Sequence, residues 1–146
     1  ERLGILNTHH KSLKIKGNII SHYYELFTTS ILLKNIEIMS FLISQINLKV
    51  EFYYQKTHLN SFYLMSLFYY KLTGDKKNET RFFKSFKLSD CRDSYKEFIN
   101  LIFLVYLYNS STKKTEKVNI RAQYKTLNRK LNYAYFSDDF LLTYFD

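Results

Sequence analysis

The sequence of 146 residues has no proline, no tryptophan, three glycines and two alanines. β-Sandwiches and barrels are built with frequent turns rich in glycine, proline and asparagine, and parallel α/β folds use glycine-rich loops between strands and helices. Neither signature is present. The scarcity of chain breakers, together with 14 tyrosines and 13 phenylalanines to fill the interior, therefore predicts an all-α fold.

Cysteine and long apolar runs are also scarce. Cys91 is the single cysteine, so no internal disulfide is available, and this predicts a cytoplasmic or other reducing intracellular compartment. The longest apolar run, LIFLVYLY, covers residues 101–108. A bilayer-spanning helix needs roughly 18–20 such residues, so no transmembrane segment is predicted.

Catalytic and metal-binding patterns are not visible in the sequence. His9 and His10 are adjacent, which places them on different faces of a helix, and no histidine or cysteine pair has metal-ligand spacing. His22 and His58 fall beside aromatic residues on predicted helices, where we expect residues at the boundary of the core. The three glycines are too widely separated for a phosphate-binding loop. The chain is predicted to be non-enzymatic, with no catalytic residues, metal or cofactor.

Apolar residues at three- and four-residue spacing predict six to seven antiparallel helices joined by short turns. We expect residues 1–17 to be an irregular lead-in and residues 18–146 to form a single all-α domain, with a helical bend at 48–54. Residues 98–108 are apolar on nearly all sides, so their helix is predicted to be the centre of the core. Predicted N-caps are Asn18, Asn35, Ser89 or Asp90, and Ser137, and Gly74 is predicted to end a helix.

Residues 56–88 place aromatic and aliphatic side chains at regular spacing around a Gly-Asp pair: Tyr63, Leu67, Tyr70, Gly74, Asp75, Phe83 and Phe86. This unit resembles one tetratricopeptide-like (TPR-like) repeat, in which a second helix packs back on the first. Residues 41–86 are also similar to the C-terminal helical domains of peptide-sensing bacterial transcription regulators. The resemblance implies a TPR-like or irregular helical repeat whose groove receives a peptide. A compact helical bundle is the alternative.

The most distinctive polar feature is basic. Residues 113–130 contain seven lysines or arginines and one acid, Glu116, in a chain of net charge +9. Four of these cations recur every four residues beside an apolar stripe formed by Ile120, Tyr124, Leu127 and Leu131: Lys117, Arg121, Lys125 and Arg129. An ordinary solvated helix face, a contact with nucleic acid phosphates and a contact with an acidic protein all fit this pattern.

Two functions remain open from the sequence. The leading hypothesis is a non-enzymatic scaffold that binds a protein or peptide, and it allows the chain to be the C-terminal part of a regulator. Its expected binding residues are Tyr63, Tyr70 and Lys71 together with Lys117, Arg121, Lys125 and Arg129. The alternative is a basic, RNA-associated structural protein of a ribonucleoprotein assembly, contacting nucleic acid through the basic helix 113–130. The oligomeric state is left open.

Overall fold

A computed structural model describes residues 16–46, 56–131 and 139–146. Within these ranges the chain forms six α-helices and no strand, which confirms the all-α prediction. The helices are α1 (Lys16–Leu32), α2 (Ile36–Gln45), α3 (Lys56–Thr73), α4 (Lys76–Ser85), α5 (Asp93–Ser110) and α6 (Lys114–Lys130), with short 3₁₀ turns at Leu88–Asp90 and Phe140–Thr143. No helix of the described ranges is both long enough and apolar enough to span a bilayer.

Contacts along the chain group into two compact units, Glu1–Phe86 and Lys87–Asp146. Each unit is described by itself, and the single domain over residues 18–146 stays a prediction. The first helix begins at Lys16, two residues before the predicted cap. The rest of the predicted lead-in, the bend at 48–54 and the cap at Ser137 lie outside the described residues.

Helix α3 is the centre of the first unit, because α1, α2 and α4 all pack against it. Its buried residues include five large apolar side chains, Phe62, Leu64, Met65, Leu67 and Phe68. Polar residues of the same helix are buried as well. Two of them bond to their own helix, since Asn60 Nδ2 donates to the Lys56 carbonyl at 2.8 Å and Ser61 Oγ donates to the Thr57 carbonyl at 2.8 Å. His58 is among them at 5% exposure, so its expected place at the boundary of the core is wrong.

Two sharp turns set the helix boundaries of the first unit. Asn35 caps α2, accepting a hydrogen bond from the Ile38 backbone N–H at 3.0 Å, as predicted. Gly74 ends α3 with a φ of 79°, and Asp75 caps α4 by accepting from the Asn78 backbone N–H at 3.1 Å. The left-handed conformation of Gly74 reverses the chain within two residues. The predicted turn at Gly74-Asp75 is therefore confirmed.

We expect Gly74→Ala to lower the free energy of unfolding by about 1 kcal/mol, because a Cβ is disfavoured at positive φ. The space around Gly74 is open, so the cost comes from the backbone conformation and not from a clash. Urea unfolding followed by circular dichroism measures the loss. The matched control is Lys84→Ala on the exposed face of α4, which should leave the stability unchanged. A Gly74→Ala variant as stable as the wild type would show that this turn does not need a left-handed residue.

The second unit is built on α5, against which α6 and the 3₁₀ turn at Phe140–Thr143 pack. The apolar segment of α5 is buried as predicted, through Ile99, Leu101, Ile102, Leu104, Val105 and Tyr106. Asn109 Nδ2 donates to the Leu142 carbonyl at 3.3 Å and so ties the 3₁₀ turn to α5.

The predicted start of α5 is wrong. Ser89 and Asp90 belong to a 3₁₀ turn, in which the Cys91 backbone N–H donates to the Leu88 carbonyl at 3.1 Å. The helix begins at Asp93, and the preceding Arg92 makes no side-chain cap hydrogen bond. The physical reason is that the Cys91 backbone N–H already donates to the Leu88 carbonyl, so it cannot donate to a capping side chain at Ser89.

Candidate functional site

The two tyrosines predicted to bind a partner lie on α3 and pack on α4. The Tyr70 ring stacks on the Phe82 ring, with centroids 5.5 Å apart and planes 11° apart. The Tyr63 ring contacts the same phenylalanine at 5.8 Å. Both tyrosines are half-buried, while Phe82 is 7% exposed. The structure therefore brings Tyr63 and Tyr70 together through the aromatic interior of the α3–α4 hairpin.

Lys71 takes part in a buried charge cluster of the same hairpin. Glu79 is buried on α4, with its Oε1 3.9 Å from Lys71 Nζ and its Oε2 3.0 Å from Lys76 Nζ. Burial lowers the pKa of Lys71, and the nearby Glu79 carboxylate opposes that shift. At the positions where TPR-like repeats place small residues, this hairpin buries Leu67 and Glu79. Lys71 thus joins α3 to α4 through a carboxylate.

The predicted cations Lys117, Arg121 and Lys125 of α6 contact side chains of their own unit. Lys117 Nζ lies 5.0 Å from the centre of the Tyr108 ring, a cation–π contact with α5. Arg121 forms a bidentate ion pair with Asp139, from Nη2 to Oδ2 at 2.6 Å and from Nε to Oδ1 at 3.0 Å. Lys125 Nζ is 3.8 Å from Oδ1 of the same carboxylate. The fourth cation, Arg129, is exposed on the last turn of α6.

Asp139 is therefore the electrostatic partner of Arg121 and Lys125. The hydrogen bonds from Arg121, with the charge of Lys125, hold the pKa of the Asp139 carboxyl below its usual range. The hydrogen bonds that Arg121 donates to Asp139 in turn raise the pKa of Arg121. The sequence analysis predicted a helix N-cap nearby at Ser137 and missed this role of Asp139. Its place eighteen residues from Arg121 along the chain gave no local signal.

A groove of about 440 Å³ runs between α5 and α6. On α6 it is lined by residues in two rows of four-residue spacing, and on α5 by two residues one turn apart: Ala122, Gln123, Thr126, Leu127, Lys130, Asn100 and Leu104. Leu104, at 4% exposure, forms its floor. At one end Lys130 Nζ forms an ion pair with Glu97 Oε1, which links the last turn of α6 to the first turns of α5.

The lining of the groove combines apolar and polar side chains. Aliphatic side chains form its floor, and amide, hydroxyl and ammonium groups form its rim. No carboxylate, imidazole or thiol is among its lining residues in the described part of the second unit. Such a lining supplies apolar contact and hydrogen bonds, but it offers no evident general acid–base pair.

The remaining titratable candidates lie elsewhere. The Cys91 thiol is buried, and this burial raises its pKa to about 11, so it is protonated at neutral pH. His58 is buried against the Tyr24 ring at 5.7 Å, and the exposed His22 lies 3.6 Å from Glu25. Over the described ranges, no group of three or more histidines, cysteines or acidic residues is arranged to hold a metal ion.

Comparison with known proteins gives no relative for this chain. No protein-family model, no curated protein and no solved structure matches it. The surfaces described above are therefore interpreted from their own chemistry.

The sequence analysis did not find the groove, because the groove depends on the absence of bulky side chains at some positions of α6. Its α6 wall carries Ala122, Gln123 and Thr126 where the opposite side of the helix carries Tyr124 and long cations. Ala122 is one of the chain's two alanines, in a sequence that fills most positions with bulky side chains. A short stretch of small side chains next to an apolar helix was the available signal.

Proposed function

We propose that this chain is a non-enzymatic, all-helical binding scaffold, and that a segment of another protein docks in the groove between α5 and α6. The observation that carries the proposal is the groove itself, with an apolar floor at Leu104 and Leu127 and a polar rim. Its volume of about 440 Å³ falls in the range of sites that take side chains and small ligands.

The lining favours a peptide segment with an apolar anchor and acidic flanks. An aliphatic or aromatic side chain would be buried against Leu104 and Leu127, which provides most of the binding free energy. Asn100 and Gln123 present amides to the rim, where they can pair with a peptide backbone or polar side chain. The net charge of +9 favours acidic flanks, through attraction that also speeds association.

The helical-repeat interpretation remains part of the proposal. It is supported by the α3–α4 hairpin, which reverses at Gly74-Asp75 and packs Tyr63 and Tyr70 on Phe82. A scaffold built from such hairpins presents grooves between neighbouring helices. A role as the C-terminal part of a regulator would make the docked segment a signalling peptide.

The proposal is tested by selecting peptides from a displayed library on the whole chain and measuring their dissociation constants by fluorescence anisotropy. Thr126→Arg places a long side chain on the groove rim from an exposed position, so we expect the dissociation constant to rise by at least roughly tenfold. Thr115→Arg is the matched control, because it adds the same charge to an exposed position of the same helix outside the groove. Equal affinities for the two variants would reject the groove as the binding site.

A further inference from the structure

The basic face of α6 forms a second surface, separate in its chemistry from the groove. Consecutive members of the row Lys117, Arg121, Lys125 and Arg129 advance around the helix by about 40°, because four residues exceed one turn of 3.6. Lys114 lies between Arg121 and Lys125 in angle, which widens the face. Lys114, Arg121 and Arg129 are exposed, and Lys125 is half-buried. The cations from Lys114 to Arg129 extend along about 22 Å of helix.

We propose that Arg121 and Lys125 form a phosphate site for single-stranded nucleic acid, which Asp139 occupies as an internal competitor until a phosphate displaces it. The two bonds from Arg121 to Asp139, at 2.6 and 3.0 Å, use the fork of guanidinium donors that also fits phosphate oxygens. Lys125 Nζ, 3.8 Å from Asp139 Oδ1, adds a second positive charge to the site. A carboxylate held this way is a chemical stand-in for the phosphate.

Displacement is feasible because the ion pair is accessible to solvent. The side chains of Arg121 and Asp139 are 44% and 45% exposed. Exposed ion pairs contribute little net stability, so a phosphate can replace the carboxylate without opening the unit. Asp139 also carries only one carboxylate, whereas a nucleic acid strand presents phosphates along the whole row of cations and gains from each of them.

The same face argues against a lipid surface. A helix that binds in the membrane interface inserts several large apolar side chains. Among the described residues of α6, Val118 is the one large hydrophobic residue that is strongly exposed, at 59%. The apolar residue Tyr124 is fully buried in the unit. The face therefore offers charge along its length with little to insert, which suits a flexible polyanion.

The test is the affinity of the whole chain for a labelled oligouridylate, measured by fluorescence anisotropy over a series of salt concentrations. Asp139→Asn keeps the shape of the side chain and removes the competing charge. We expect it to raise the affinity by roughly three- to tenfold at low salt, because the phosphate no longer has to displace a carboxylate, and to leave the logarithmic salt slope unchanged, because the same phosphates are neutralised.

The matched control is Asp146→Asn, which changes the net charge equally at an exposed position and leaves Arg121 and Lys125 paired. It should have a small effect and no change of slope. In the background Arg121→Gln with Lys125→Gln, Asp139→Asn should lose its effect. Equal gains from Asp139→Asn and Asp146→Asn would overturn the proposal. Absence of oligouridylate binding at low salt would overturn it too. Equal affinity for poly-glutamate, a polyanion without phosphates, would also overturn it. Poly-lysine, a polycation, is the negative control.

Discussion

Replacing Phe82 with alanine is expected to lower the free energy of unfolding of the first unit by about 3–5 kcal/mol. The Phe82 ring lies among three aromatic rings of α3, with centroids 5.5 Å from Tyr70, 5.8 Å from Tyr63 and 6.3 Å from Phe62. Truncation removes the apolar burial and leaves a cavity that three rigid rings cannot close. Chemical unfolding followed by circular dichroism measures the loss.

The neighbouring phenylalanine is the matched control for this substitution. Phe83 is 44% exposed, whereas Phe82 is 7% exposed. Both lie in α4, so Phe82→Ala and Phe83→Ala change helix propensity equally and differ in burial alone. We expect Phe83→Ala to cost at most about 1 kcal/mol. Similar losses for the two variants would contradict the packing of α4 on α3 through Phe82.

Glu79→Ala is expected to destabilise the first unit by about 1–3 kcal/mol, because it removes the buried carboxylate that lies 3.9 Å from the half-buried Lys71 ammonium. Lys71 has a side-chain exposure of 16%, whereas Lys76, the other partner of Glu79, is 79% exposed and can be solvated when the carboxylate is removed. The loss of stability therefore arises mainly from removing the carboxylate beside Lys71. Glu37→Ala on the exposed face of α2 is the control, and we expect it to have little effect.

The cause is separated from simple loss of volume by a second variant. Lys71→Met combined with Glu79→Leu replaces the pair with apolar side chains, and we expect it to recover most of the stability lost in Glu79→Ala. A double variant no more stable than Glu79→Ala would show that packing, and not the removal of the Glu79 carboxylate from Lys71, causes the loss of stability.

The pH dependence of Glu79→Ala provides an independent check. Burial already lowers the pKa of Lys71 from 10.5, and removing Glu79 takes away the charge that opposes this shift. Between the lowered native pKa and 10.5, the unfolded chain binds more protons than the folded one, so stability rises with pH in that window. The difference between wild type and Glu79→Ala should therefore shrink as pH rises toward 10.5. A constant difference would mean that Lys71 does not carry the cost.

The fold class was predictable because the scarcity of glycine and proline excludes alternatives to helices. The turns at Asn35 and Gly74-Asp75 were predictable as well, because cap residues and a positive-φ glycine act locally. The burial of α3 was harder to predict. Asn60 and Ser61 appear polar in the sequence, yet they bond to carbonyls of their own helix and are buried beside Phe62.

The candidate sites show the same division between local and distant effects. The basic row on α6 is visible in its four-residue spacing, but its pairing with Asp139 depends on how the chain returns to the helix. The spacing on α3 singled out Tyr70, whereas its stacking on Phe82 became evident in the packed hairpin. The groove lies where the small side chains of Ala122 and Thr126 on α6 line a space against α5, and the spacing within one helix does not reveal which helix it packs against.

Docking of a peptide in the groove between α5 and α6 is the central proposal. Nuclear magnetic resonance of the labelled chain, titrated with a library-selected peptide, is its most direct test. We expect the largest chemical-shift changes on the groove lining, at Asn100, Leu104, Gln123 and Thr126. The chemical shifts of Tyr63, Tyr70 and Lys71 in the α3–α4 hairpin should remain unchanged. Changes concentrated on the hairpin, with the groove residues unaffected, would contradict it.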